Sequence, residues 1–163
     1  MLTTQRDTLK AQVETVQNAT AKLLKDISEQ DSLVTIGTYP NHIKWLTGHL
    51  AWTASVSIKV LGGRAALPDG WADLFRRGAP VPERTMTTPT FAETRDQLTL
   101  CHKKILEMIE ASDDEKLSKV TEIAKGWEDS PMGAVLFFAA HEFYHDGQIA
   151  MIRREIGLTR TFG

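Results

Sequence analysis

The sequence predicts an all-α fold, a bundle of four long helices, and three observations predict it. Apolar residues recur every three or four positions along four segments, each long enough for roughly five turns or more. Those segments are bounded by residues that start and stop helices. No region is rich in the alternating or β-branched runs that mark strands. At 163 residues the chain fits one domain, spanning 1–163, with room for a proper core, and no internal repeat or low-complexity tract interrupts it.

The first long helix is expected over roughly residues 3–29. Leu9, Val13, Val16, Thr20, Leu23, Leu24 and Ile27 fall at helical spacing between polar residues such as Gln12, Glu14, Lys22 and Lys25, so this stripe is packing surface. Asp31 to Pro40, containing Gly37 and Pro40, breaks the pattern. The second helix runs from about Asn41 to Leu61, where Gly62-Gly63 stops it.

On that second helix His42, Leu46, His49, Thr53, Val56 and Val60 form the inward stripe, with Leu50 beside it. His49 lies near the middle of the helix and is the stronger functional candidate, whereas His42 lies in the first turn, where capping or solvation suits it. Gly48 weakens a helix by about 1 kcal/mol relative to alanine, so something should pack closely there. Trp45 and Trp52 are expected to cover the bundle or a partner rather than stack on a ligand.

Gly62 to Thr90 holds Pro68, Pro80, Pro82 and Pro89, and its Trp71, Leu74 and Phe75 read as a short helical turn pinned to the core. A connection this long can travel back along a bundle, making the second and third long helices parallel neighbours, and such loops often roof a site. Thr90 with Glu93 makes a capping box for the third long helix, whose stripe is Phe91, Leu98, Cys101, Ile105, Met108 and Ile109 and which ends near Ala111. Cys101 reads as a small buried hydrophobe, since no glycine-rich elbow or helix start is there to activate a thiolate. His102 sits at the edge of the same stripe, as a boundary residue or a fourth ligand. Ser112 with Glu115 could cap a short turn, and Lys116 to Asp129 is an irregular connection.

The last helix spans Pro131 to Gly157, with Ser130 as its cap, Pro131 in the first position and Gly157 as a left-handed stop. Phe138, His141, His145, Ile149, Ile152 and Ile156 share one stripe, so two imidazoles take core positions where leucines would be expected. Side chains four apart lie roughly 5–6 Å from each other, which suits a bidentate clamp on a divalent ion. The competing reading is two core histidines satisfied by ordinary hydrogen bonds. Glu142, Asp146 and Gln148 read either as supports for the imidazoles or as surface residues, Gly147 as a steric requirement, and Tyr144 as a surface or interface residue.

Composition excludes several classes. The formal net charge is −2, and the basic doublets Arg76-Arg77 and Arg153-Arg154 read as solvated faces, which argues against nucleic acid as the main partner. No apolar run approaches the ~20 residues of a membrane span, and residues 1–30 are amphipathic instead of signal-like, so a cytoplasmic location is expected. A single cysteine excludes an internal disulfide framework.

With His49 in Thr47-Gly48-His49-Leu50, the Trp- and Pro-containing crossover of Trp71 to Pro89, and the closing run His141-Glu142-Phe143-Tyr144-His145-Asp146-Gly147-Gln148 followed by Arg153 and Gly157, the chain resembles the DinB-like superfamily of damage-inducible proteins. The resemblance spans essentially the whole chain. It implies an up-down-down-up four-helix bundle, a homodimer, and a divalent metal, zinc or nickel, held by His49, His141 and His145. It also implies a thiol-dependent S-transferase using bacillithiol or another low-molecular-weight thiol on a small electrophile. The mycothiol-dependent maleylpyruvate isomerases of this superfamily carry a glutamate where this chain has His141, which disfavours that reaction. A metal-binding, stress-associated dimer without turnover and a metal-dependent hydrolase are the alternatives.

Overall fold

The computed structural model describes residues 4–64, 67–82, 89–127 and 129–161. These residues form six α-helices: α1 (Gln5–Leu24), α2 (Ile43–Val60), α3 (Trp71–Phe75), α4 (Phe91–Glu110), α5 (Asp114–Ser118) and α6 (Pro131–Glu155). Short 3-10 turns at Asp31–Leu33 and Glu122–Ala124 join them, and Ile36 and Tyr39 form an isolated antiparallel bridge. Among the described residues there is no strand, and no helix is long and apolar enough to cross a membrane.

The helices start where side chains can satisfy their first amide groups. Thr4, Thr90, Asp113 and Ser130 each accept a hydrogen bond from a backbone N–H three residues on, at the starts of α1, α4, α5 and α6. At α4 the expected capping box is complete, because the Glu93 carboxylate also accepts from the Thr90 N–H. At α5 the cap is Asp113, not Ser112, whose hydroxyl instead donates back to the Met108 carbonyl. Gly62, at φ +88°, and Gly157, at φ +82°, provide the left-handed stops after α2 and α6.

The first helix ends at Leu24, five residues earlier than its periodicity suggests. Local polar chemistry diverts the chain there: the Ser28 hydroxyl donates to the Asp31 carboxylate and accepts from the Asp31 N–H. Glu29 is drawn into a tertiary role, accepting from Lys44 Nζ at the start of α2 and from the Phe91 N–H at the start of α4. A carboxylate at a helix N-terminus is favoured by the free amides and their positive partial charge.

The four long helices pack in a ring, α1 against α4 and α6, and α2 against the same two. The core between them includes Leu9, Leu23, Leu46, Leu50, Ile58, Leu98, Ile105, Ile149 and Ile152. Helix α2 is buried on nearly all sides, not on one stripe, because α3 covers the face that would otherwise meet solvent. Lys44 is accordingly buried, its charge matched by Glu29. Trp71 and Phe75 anchor the crossover to the core as expected; the parts of that connection at 65–66 and 83–88 lie outside the described residues.

Residue pairs register the helices against one another. Lys10 of α1 meets Glu110 at the far end of α4, and Gln17 reaches the His102 carbonyl. Arg153, near the end of α6, donates to the Leu23 carbonyl near the end of α1. Glu29 ties the starts of α2 and α4 together, and Met108 packs against Gly63 just past the end of α2.

Candidate metal centre

Mid-helix positions on α2 and α6 face each other across the bundle. His49 of α2 and His141 and His145 of α6 bring one ligand-capable atom each to within 4.8 Å of the others, a cluster able to hold a metal ion. The ring centroids lie 5.2 Å apart for His49 and His141, 5.1 Å for His49 and His145, and 4.5 Å for His141 and His145. His49 and His145 are buried and His141 is half-buried, so the cluster has a wet side at His141.

The hydrogen bonds behind the rings decide which nitrogens are free. His49 Nδ1 lies 2.7 Å from the Phe75 carbonyl, which can only accept, so Nδ1 carries the proton and Nε2 keeps its lone pair. His145 Nδ1 makes the same kind of bond to Gln148 Oε1 at 2.7 Å. Its Nε2 faces His141 Nε2 at 3.2 Å. The buried Nδ1 of His141 has no hydrogen-bond partner among the described residues.

Burial pushes all three imidazoles toward the neutral form. His141 is lowered to about 4, by burial first and then by the neighbouring His145 and His49. His49 and His145 are lowered chiefly by burial, opposed by their bonds to Phe75 and Gln148. Neutral nitrogens with outer hydrogen bonds that set their tautomers are the donor set a divalent cation needs, and the residues fit such an ion.

Sequence periodicity did not show how firmly His49 is held. Its ring is stacked between Trp45, with centroids 5.1 Å apart and planes 5° from parallel, and Trp52 at 5.7 Å. The tryptophans do cover the bundle, but what they stack on is the histidine itself. Their spacing, one four residues before His49 and the other three after, was a readable signal. The close neighbour expected at Gly48 is the Phe75 ring, which a Cβ at that position would run into. The same residue therefore uses its ring to demand a glycine and its carbonyl to orient the adjacent histidine.

The remaining candidates divide differently from the expectation. His42 caps α2 by accepting from the Trp45 N–H through Nδ1, and is buried, not solvated. His102 lies outside the triad, with Nε2 3.2 Å from the Glu142 carboxylate. Glu142 is buried and touches neither His49 nor His145 through a hydrogen bond; it faces α1 and α4. Of the three candidate supports only Gln148 holds an imidazole, as one of its two readings expected, and the Phe75 carbonyl joins it. Gly147 has open space where a Cβ would stand, which overturns its steric reading. Arg153 is buried at 4 % exposure, not solvated, because its guanidinium closes the end of α1. Its place four residues after Ile149, on the apolar stripe, was the available sign. Cys101 is a core residue as expected, with burial raising its thiol pKa.

Behind the triad, Asp146 sits against α1. Burial, followed by the nearby Glu142 carboxylate, pushes its pKa up to about 8, with the Thr20 hydroxyl opposing. That hydroxyl has one hydrogen and lies 2.5 Å from Glu142 Oε1 and 3.1 Å from Asp146 Oδ2. With the hydrogen directed to Glu142, a protonated Asp146 completes the set by donating to the Thr20 oxygen. An acid whose pKa is higher folded than unfolded stabilises the fold at low pH and loses that contribution as pH rises, here from near 4 to about 8. Asp146→Asn keeps the shape without the ionisation. Its melting temperature should exceed the parent's by a margin that widens across this window. A parallel pair of pH–melting profiles would refute the assignment.

Comparison with known proteins adds the family. No curated protein matches the chain. A family model of the DinB superfamily matches residues 12–149, which takes in most of α1, all of α2 and α4, most of α6 and all three histidines. The chain therefore belongs to the DinB superfamily.

Proposed function

We propose that this protein binds a divalent metal ion, zinc or nickel, through His49, His141 and His145, and catalyses transfer of a low-molecular-weight thiol to a small electrophile. The observation that carries the reading is the pair of outer hydrogen bonds, from His49 to the Phe75 carbonyl and from His145 to Gln148, which leave both Nε2 atoms unprotonated at one centre. Three ligands from two helices leave coordination positions for an exogenous group, as catalytic sites require. A cation held there supplies the charge that lowers the pKa of a thiol.

The chain's own residues would do the rest. Trp45 and Trp52 keep water from both faces of His49, and Phe75 and Gln148 hold the rings in place. An apolar recess of about 220 Å³, lined by Ile36, Tyr39, Gln148, Met151 and Ile152, adjoins the residue that orients His145 and suits the apolar body of an electrophile. In the transfer the thiol gives up its proton to solvent, its sulfur bonds to the electrophilic carbon, and the leaving group departs with its bonding electron pair.

The test is elemental analysis of protein purified without a metal-affinity tag, followed by incubation with several low-molecular-weight thiols and a generic electrophile. A thiol-dependent rate well above that of His49→Ala is expected. Metal occupancy with no such rate would leave a metal-binding protein without turnover, and thiol-independent product would mean hydrolysis.

The same reading includes one cytoplasmic domain over 1–163 with the up-down-down-up order of the family. Support for that order comes from the registered pairs: Arg153 with Leu23 sets α6 parallel to α1, Lys10 with Glu110 sets α4 antiparallel to α1, and Glu29 joins the starts of α2 and α4. A homodimer is part of it as well. Leu136, Phe137, Phe143, Tyr144 and Met151 are exposed along α6, an uncharged row that a second copy could cover. Light scattering after size exclusion should give a dimer, and Phe143→Asp should give a monomer; a parent chain already monomeric at micromolar concentration ends the dimer reading.

A further inference from the structure

Beyond the triad, the C-terminal end of α6 carries a second set of converging polar groups. A recess of about 340 Å³ opens beside the last turns of α6 and is lined by Arg153, Arg154, Arg160, Thr159 and Thr161 together with Leu23 and Ala150. Arg153 is 4 % exposed. One of its amino groups donates to the Leu23 carbonyl at 2.6 Å, while its Nε–H, also buried, has no hydrogen-bond partner among the described residues. The buried hydroxyl of Thr161 also lacks one. Buried donors are almost always paired in folded proteins, so two orphans lining one recess point to a missing acceptor.

That acceptor is not supplied by the helix end. The carbonyls of Ile152, Arg153 and Arg154 already accept from Ile156, Leu158 and Gly157. No acidic side chain lines the recess among the described residues. Three guanidinium groups, one rigidly placed and two exposed, with hydroxyls beside them, match the oxygens of a multiply charged anion. The volume exceeds that of a bare anion and falls at the lower end of small-ligand pockets, which run from about 300 to 1,000 Å³. Along α6 Arg153 lies eight residues from His145, about 12 Å at the helical rise, so a group held by its guanidinium does not ligate an ion at the triad.

We propose that this recess binds the oxyanion group, phosphate or carboxylate, of a small organic metabolite. Calorimetric titration of the full chain in about 150 mM salt, where loose surface attraction is screened, tests it with glycerol 3-phosphate, succinate and inorganic phosphate as probes. Saturable binding of one organic probe is expected, weakened at least ~10-fold in Arg154→Gln/Arg160→Gln and unchanged in Arg6→Gln, a charge control on α1. Preference for glycerol 3-phosphate assigns a phosphate ester, and preference for succinate assigns a carboxylate. Both substituted arginines are exposed, so their loss should leave the fold intact. Arg153 stays in place and is read directly: its Nε–H resonance should move on addition of the preferred probe. The proposal fails if no probe saturates by about 10 mM, if the double variant binds equally, or if inorganic phosphate binds as tightly as either organic probe, an adventitious ion only.

Discussion

Replacing His49 with alanine is expected to abolish stoichiometric metal binding. Loss of a direct ligand should cost more than the 10- to 100-fold in affinity that typically follows removal of an outer hydrogen-bond partner, and Gln148→Ala should fall inside that lower range. The metal-free protein should also lose about 2–4 kcal/mol, because the space between Trp45 and Trp52 is left empty and the Phe75 carbonyl loses its donor. His141→Ala separates the two effects. That ring is half-buried, and its Nδ1 has no hydrogen-bond partner among the described residues, so its removal should eliminate metal with little change in the metal-free melting temperature. Elemental analysis together with thermal melts in chelator measures both quantities. Full occupancy in either variant would remove the proposed ligand set.

Two mid-helix glycines should respond to alanine with opposite signs. At Gly48 the new methyl would collide with the Phe75 ring, which is itself 2 % exposed and cannot swing clear. The overpacking, typically about 1–3 kcal/mol, should outweigh the helix-propensity gain of about 1 kcal/mol and leave Gly48→Ala destabilised by up to about 2 kcal/mol. Because Phe75 also orients His49, metal affinity should fall with it. At Gly147 a Cβ meets nothing within 4 Å, so Gly147→Ala should gain about 0.5–1 kcal/mol. Denaturant midpoints of the two variants, measured metal-free, decide it. A stabilised Gly48→Ala would show that the crossover is not held against α2 through Phe75.

How much of this was readable in the chain varies from residue to residue. The starts of α4 and α6 were visible because Thr90, Glu93, Ser130 and Pro131 act within one turn of themselves. The inward placement of His49 and His145 followed from periodicity, and so did that of Cys101. The support of His49 was not visible, since every residue has a carbonyl and nothing in the side-chain pattern marks Phe75 as the one that will be used. The end of α1 was misplaced for a related reason. Ile27 continues the stripe and is buried, yet Ser28 and Asp31 bond each other and Glu29 serves two other helices.

The sequence by itself determined the helical class, the places where long helices begin, and the inward turn of His49 and His145, because each depends on spacing or on partners a few residues away. Only the tertiary structure decided that α6 carries two polar faces. His141 and His145 meet α2, while Glu142, Asp146 and Arg153 are buried against α1 and α4. Charged residues are normally read as solvated, and what reverses that reading is a hydrogen-bond partner on another helix. Thr20, His102 and the Leu23 carbonyl are such partners, and folding alone brings them within reach.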